Sequence, residues 1–280
     1  MKAVVVTGAT SGIGLAVAGL LAEKYHIIGI GRDAEKCEAA QRRMREAGRA
    51  ATYFRADLMQ QDQVRDAARR IQGELDAHFS GELHALINNA GCVRSWYMTT
   101  RDGYEQQFAL NYLAGFLMTH ELMPALKKGR GRILFTSSAS HKMMRVNWKS
   151  IMYSRRYRPL RAYKQSKLCN MLLAYGINWL FDEDGVRAYG VDPGLVRTDI
   201  GNKGTGGMVD FVWKLRKKGG VLPQEPAKTY KMLCDGNPRP IELYYKFLKP
   251  ERYSRQVNEK NAERLIALSE QLCGVRFGGE

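Results

Sequence analysis

The chain has 280 residues, 45% of them hydrophobic and 26% charged, which is enough for a sizeable buried core and ordinary for a globular protein. Its formal net charge of +16 is the outlier and favours solubility and attraction to anions; no nucleic-acid motif is present and the aromatics do not interleave with the basic runs, which argues against a nucleic-acid partner. No apolar run approaches the roughly 18 residues of a membrane span, and the first strand begins at residue 2, so the expectation is a soluble, cytoplasmic protein with neither signal peptide nor transmembrane segment.

The β-branched run from Ala3 to Thr7 predicts a strand. It breaks into Gly8-Ala9-Thr10-Ser11-Gly12-Ile13-Gly14, and an Ala- and Leu-rich helical pattern follows over 12–24. Strand, glycine turn and helix in that order leave a helix N-terminus whose N–H groups and dipole suit a pyrophosphate. The spacing is G-x-x-x-G-x-G, and a glycine-rich turn alone is commonly just a tight turn. The flanking strand and helix favour a dinucleotide, with Gly8, Ser11, Gly12, Ile13 and Gly14 as candidate contacts.

Further strands are predicted at 26–31, 51–56, 85–88, 132–137, 186–191 and 241–247. Helical patterns fall at 34–47, 60–79, 102–128, 160–182, 224–235 and 259–273, with no repeat, low-complexity stretch or linker between them. This alternation predicts the α/β class: a single Rossmann-type doubly wound parallel sheet with helices on both faces, one domain over 1–280. Ligands of such sheets sit at the carboxyl ends of the strands. At those ends the chain carries Gly31-Arg32-Asp33, Asp57-Leu58, Asn89-Ala90-Gly91, Ser137-Ser138 and Asp192-Pro193-Gly194. Each by itself reads as a cap or turn, whereas their joint placement on one edge points to a cleft.

The helix over 160–182 carries Tyr163-Lys164-Gln165-Ser166-Lys167. At i and i+4, Tyr163 and Lys167 share a helix face, and the lysine charge favours phenolate over phenol, which makes Tyr163 a candidate acid/base. The bland alternative is a solvated helix face. Asn111 reads either as a buried polar residue satisfying backbone groups or as part of the site, and His141 as a loop histidine. Cys37, Cys92, Cys169, Cys234 and Cys273 are scattered without any C-x-x-C. They read as reduced packing residues, with no disulfide framework and no metal site expected.

Taken in order, TGATSGIG, Asp57-Leu58, NNAG, Asn111, Ser138, YKQSK and the Asp192-Pro193-Gly194-Leu195-Val196-Arg197-Thr198 segment resemble the short-chain dehydrogenase/reductase family over essentially the whole chain. Asp102-Gly103-Tyr104-Glu105 running on to Asn111 and Thr119, and the segment from Asn258 to Leu265, are similar to its retinol-dehydrogenase branch. The segment from Ala162 to Met171 is also similar to light-dependent protochlorophyllide reductases. The resemblance implies that Tyr163 exchanges the proton at the substrate oxygen while Lys167 lowers its pKa and binds the nicotinamide ribose. It further implies that Ser138 hydrogen-bonds the same oxygen and that Asn111 holds a water in a relay with Lys167. Cofactor contacts carried over with it are Arg32, Asp57, Leu58, Asn89, Ala90, Gly91, Pro193, Gly194, Val196 and Thr198. NAD-preferring members place an acidic residue where this chain has Gly31, followed by Arg32, so NADP(H) is expected over NAD(H).

Function is accordingly expected to be interconversion of a ketone or aldehyde and its alcohol on a fairly large apolar substrate, retinoid- or steroid-like in size. Alternatives are a double-bond reductase on the same scaffold and a non-catalytic dinucleotide-binding regulator with a basic docking surface. Ser138 and Tyr163 lie 25 positions apart, a gap shared with the retinol-dehydrogenase branch. The insert over 141–160 either walls the substrate cleft or packs down as a surface loop. A second stretch, 199–222, with the amphipathic run Met208 to Leu215, is a candidate lid or peripheral membrane contact. Arg155, Arg156, Arg158 and Arg161 are expected to bring a guanidinium to the cleft mouth and attract an anionic substrate. Homo-oligomers through 102–128 and 160–182 are common in the family.

Overall fold

Runs such as Val4-Val5-Val6, buried at every residue, are apolar on both faces, as in a central parallel strand covered by helices on either side. The computed structural model, which describes residues 1–154, 156–197, 219–236 and 239–277, has such strands at its centre. β1 (Lys2–Thr7), β2 (Tyr25–Gly31), β3 (Ala51–Arg55), β4 (Ala85–Asn88), β5 (Arg132–Thr136), β6 (Arg187–Asp192), β7 (Tyr244–Lys246) and β8 (Lys249–Pro250) form one sheet in the order β3-β2-β1-β4-β5-β6-β7-β8. Val4 pairs with Ile27 on one side and Ala85 on the other, so the order reverses between β1 and β4, and a crevice opens at their carboxyl ends.

Successive residues of a strand face opposite ways, and the core divides accordingly. Val4, Val6 and Leu134 pack with α1 (Gly12–Leu21), α2 (Ala34–Glu46) and α8 (Gln224–Asp235). Val5, Ile133 and Phe135 pack with α3 (Gln61–His78), α5 (Ala114–Glu121), α6 (Met123–Lys128), α7 (Pro159–Leu180) and α9 (Glu259–Cys273).

Two elements depart from the expected pattern. The predicted helix over 102–128 begins only at α4 (Gln106–Phe108), where Glu105 caps it by accepting from the Gln107 and Phe108 N–H groups. It then loosens into a π-helical turn (Ala109–Leu113) around Asn111 and breaks at Leu122, just before Pro124, which has no N–H to continue the ladder. The predicted strand over 241–247 is cut short because Phe247 and Leu248 adopt φ of 45° and 67°, a tight turn that sends β8 back antiparallel at the sheet edge.

Among the described residues, no helix is long and apolar enough to cross a membrane. Residues 198–218, which hold most of the candidate lid, and Arg155 lie outside the described residues.

Candidate active site

The glycine turn builds the first wall. Gly8 and Gly12 take φ of 68° and 54°, the left-handed region that glycine enters without strain. A Cβ on Gly14 would stand 2.2 Å from the Gly8 carbonyl oxygen and 2.6 Å from Asn89 Nδ2, so only glycine lets α1 start this close to the turn. Ser11 makes no side-chain cap to α1, and the first turn holds no acidic residue. The helix N-terminus therefore keeps its capacity for an anion, which fits a dinucleotide pyrophosphate.

A cleft of about 480 Å³ runs along the strand ends. Of the residues named from the sequence as cofactor contacts, Gly8, Ser11, Gly12, Ile13, Arg32, Asp57, Leu58, Asn89, Ala90, Gly91, Tyr163, Lys167, Pro193, Gly194 and Val196 line it. Gly14 serves packing behind the wall, and Thr198 lies outside the described residues. Cys92, Arg94, Leu110 and Arg197 also line it. The first two continue the NNAG loop, a signal the sequence carried, whereas Leu110 reaches the cleft through the π turn, which periodicity does not reveal. Burial pushes the Cys92 thiol up to about 12, so it is no nucleophile.

At the end of β2, a Cβ on Gly31 would lie 2.5 Å from Thr10 Cγ2 and 2.8 Å from Cys37 Sγ, so side chains already fill the place an acidic residue would need. Asp33 is occupied as the N-cap of α2: it accepts from Lys36 N–H at 3.2 Å and pairs with the Lys36 ammonium at 3.6 Å. It does not line the cleft, whereas Arg32 does.

The Asn89 amide ties the ends of three strands together. Its Nδ2 donates to Thr7 O at 3.1 Å, and its Oδ1 accepts from Thr136 Oγ1 at 3.4 Å. Lys167, only 4% exposed, donates from Nζ to Thr136 O at 2.9 Å and lies 5.5 Å from the centre of the Tyr163 ring. Burial brings its ammonium down to about 8. Asn111 sits behind Gly91. Its Nδ2 donates to Cys92 O and Ser166 Oγ, and its Oδ1 accepts from Cys92 N–H at 2.7 Å, so both donors and one of two acceptor lone pairs are used.

The three serines after β5 separate by their bonds. Ser137 lines the cleft, but its Oγ donates to Lys167 O at 3.0 Å, which commits its one proton to the backbone of α7. Ser138 Oγ accepts only a long 3.3 Å bond from Ser140 N–H and sits half-buried at the start of a 3₁₀ turn, Ala139–Met143, although it is not among the residues lining the cleft. Asp192, whose part sequence reasoning left unassigned, holds this segment. Its Oδ2 accepts from Ala139 N–H at 3.0 Å, while its Oδ1 accepts from Gly194 N–H at 2.8 Å.

None of the described insert residues over 141–160 lines the cleft. Val146 and Tyr153 are buried, Met144, Trp148, Ile151 and Met152 pack on the core, and the Arg264 guanidinium covers Trp148 at 4.4 Å. Arg156, Arg158 and Arg161 are exposed and do not line the cleft; among the described residues its guanidiniums are those of Arg32, Arg94 and Arg197. The expected approach of the insert's arginines is thus not seen among the described residues, because the insert folds toward α7 and α9: Gln165 Nε2 donates to Ile151 O at 2.7 Å.

Residues 2–206 match the family described as short chain dehydrogenase. The chain is 31% identical to retinol dehydrogenase 12 of Mus musculus over 284 residues, covering 99% of this chain and 87% of that protein. An uncharacterised protein from Mycobacterium Paratuberculosis has a structure similar to this one with a TM-score of 0.74 and 28% identity, over 100% of this chain and 96% of that one. An alcohol dehydrogenase from the archaeon Thermococcus sibiricus, complexed with 5-hydroxy-NADP, shares the fold with a TM-score of 0.67 at 21% identity, over 90% of this chain and 100% of that one. With its cleft at the sheet's switch point and Tyr163 and Lys167 on its wall, the chain belongs to the short-chain dehydrogenase/reductase family, in the retinol-dehydrogenase-like branch.

Proposed function

We propose that this oxidoreductase is a cytoplasmic, NADP(H)-dependent enzyme that interconverts a ketone or aldehyde and its alcohol on a fairly large apolar substrate, with residues 1–280 acting as one domain. The observation that carries the reading is the pairing of Tyr163 with the buried Lys167 on the wall of a cleft whose other end is a glycine turn at a helix N-terminus. The absence of room at Gly31, the capping role of Asp33 and the placement of Arg32 support the 2′-phosphate form of the dinucleotide. A guanidinium can pair with that phosphate through two hydrogen bonds. The likeness to a retinol dehydrogenase supports an apolar substrate of that size.

When bound, the dinucleotide supplies or accepts the hydride. The chain supplies the rest. Tyr163 gives its phenolic proton to the carbonyl oxygen during reduction and takes it back during oxidation, and the adjacent Lys167 ammonium stabilises the phenolate left behind. Lys167 commits one of its three donors to Thr136 O, which keeps it in place and leaves donors for ribose hydroxyls. Ser138 donates to the same substrate oxygen and aligns it. Asn111 offers the remaining lone pair of Oδ1 to a water that returns a proton toward Lys167.

The test is turnover of NADPH and of NADH with a panel of retinal, steroid ketones and long-chain aldehydes, run in both directions. Oxidation of NADPH that depends on one of these carbonyls supports the reading; no turnover of any, with either cofactor, counts against it.

A further inference from the structure

His141 is wholly buried, and both of its ring nitrogens have partners. Nδ1 lies 2.6 Å from Ser138 O; a carbonyl only accepts, so Nδ1 carries the proton. Nε2 accepts the Ser254 backbone N–H at 3.3 Å, which requires that nitrogen to be bare. Together they fix the imidazole as the neutral Nδ1–H tautomer. The ring stands edge-on to Tyr244, 4.9 Å between centroids, and the Tyr244 hydroxyl donates to Asp192 Oδ2, the atom that also receives Ala139 N–H. The charges acting on the ring are those of Lys142 and Asp192, themselves paired in turn: Lys142 with Glu251 at 3.4 Å and Asp192 with Lys246 at 3.9 Å.

We infer that His141 is a positioning residue for Ser138: it anchors the serine's carbonyl to residue 254, 113 positions downstream, so that the hydroxyl is held toward the reacting oxygen. The clamp uses only backbone of the serine segment, at Ser138 O and Ala139 N, and leaves the Ser138 hydroxyl for substrate. Burial lowers the His141 pKa, in keeping with a ring that must stay neutral to accept from Ser254. The inference rests on the proposed role of Ser138 and adds to it the side chain that places that hydroxyl.

The experiment compares His141→Leu, His141→Asn, His141→Gln, Ser138→Ala and the double variant Ser138→Ala with His141→Leu, using NADPH and the best carbonyl of the panel above, with NADPH binding followed by fluorescence. His141→Leu should lower kcat about 10- to 100-fold, the scale of misplacing a catalytic group by about 1 Å, while NADPH affinity stays within about twofold. His141→Asn, whose Nδ2 can replace Nδ1 at Ser138 O, should recover most of kcat, and His141→Gln, which reaches only the Nε2 position, should recover less. In the Ser138→Ala background, His141→Leu should lower kcat no further. If His141→Leu no longer binds NADPH, the contrast between Asn and Gln decides. A multiplied loss in the double variant, or equal kcat for Asn and Gln, overturns the inference while leaving the role of Ser138 intact. Full kcat in Ser138→Ala overturns both.

Discussion

Lys167 stands one helical turn beyond Tyr163, its Nζ 5.5 Å from the ring centre, bonded to Thr136 O at the end of β5 and only 4% exposed on the cleft wall. A charge at that distance acts on a phenol far more strongly in a shielded site than across water. The same burial penalises the ammonium itself, so the pair gains catalytic leverage by holding an unfavourable charge in place.

Tyr163→Phe keeps the ring beside Lys167 and deletes the proton donor. Turnover should fall by about 10² to 10⁴, the usual worth of general acid catalysis, with NADPH affinity nearly unchanged. Steady-state kinetics alongside fluorescence binding checks this, and a variant retaining most of the wild-type kcat would show that the proton comes from elsewhere.

Lys167→Met should abolish turnover yet stabilise the cofactor-free protein. The folded-state pKa of about 8 lies below the unfolded value of 10.5, so the unfolded chain binds the proton more tightly. The penalty is full below about pH 8 and fades as pH rises to 10.5. That gap corresponds to about 3 kcal/mol, and loss of the bond to Thr136 O returns about 1 kcal/mol. A net gain of about 2 kcal/mol at pH 7, shrinking at pH 10, should appear as a raised Tm. An unchanged or lower Tm at pH 7 refutes it.

Much of this was legible beforehand because the motifs at the strand ends are local. The glycine turn, Asn89 to Gly91, Tyr163 and Lys167 each announce their surroundings within a few residues, and the sheet brings them to one edge. What escaped was set by long-range partners. Asp192 reads as a turn residue until Ala139 N–H and Tyr244 are seen to converge on its carboxylate. His141 reads as a loop histidine until Ser254 is folded against it. The insert's apolar residues give no sign in sequence of whether they face the cleft or α9, and the Arg264 to Trp148 contact decides it.

Cofactor choice should turn on Arg32. A guanidinium held in two charge-assisted bonds to a 2′-phosphate is worth about 1.5 to 3 kcal/mol, so Arg32→Ala should lower kcat/KM for NADPH about 10- to 100-fold and leave NADH nearly unaffected. Gly31→Asp should favour NADH only together with Thr10→Ala and Cys37→Ala, since the Thr10 methyl and the Cys37 sulfur occupy the space at 2.5 and 2.8 Å. A wild-type preference for NADH, or an Arg32→Ala enzyme with unchanged NADPH preference, contradicts this.

At the opposite end of the sheet, His84 should make the fold acid-sensitive. It stacks on Tyr25 at 4.9 Å, lies 3.0 Å from Cys234 O through Nε2, and has the Arg132 guanidinium 3.5 Å away. Burial above all, with Arg132 adding to it, lowers its pKa to about 4 from 6.5. Between those values the unfolded chain takes up a proton that the folded protein refuses, so stability is intact above 6.5 and is lost as pH falls toward 4. At pH 5 the shortfall is about 2 kcal/mol, at about 1.4 kcal/mol per unit. His84→Gln retains a donor for Cys234 O but cannot titrate. Urea denaturation at pH 7.5 and pH 5 should therefore show wild type losing about 2 kcal/mol more than the variant; equal losses would mean that Arg132 and the other buried groups, not His84, govern the acid response.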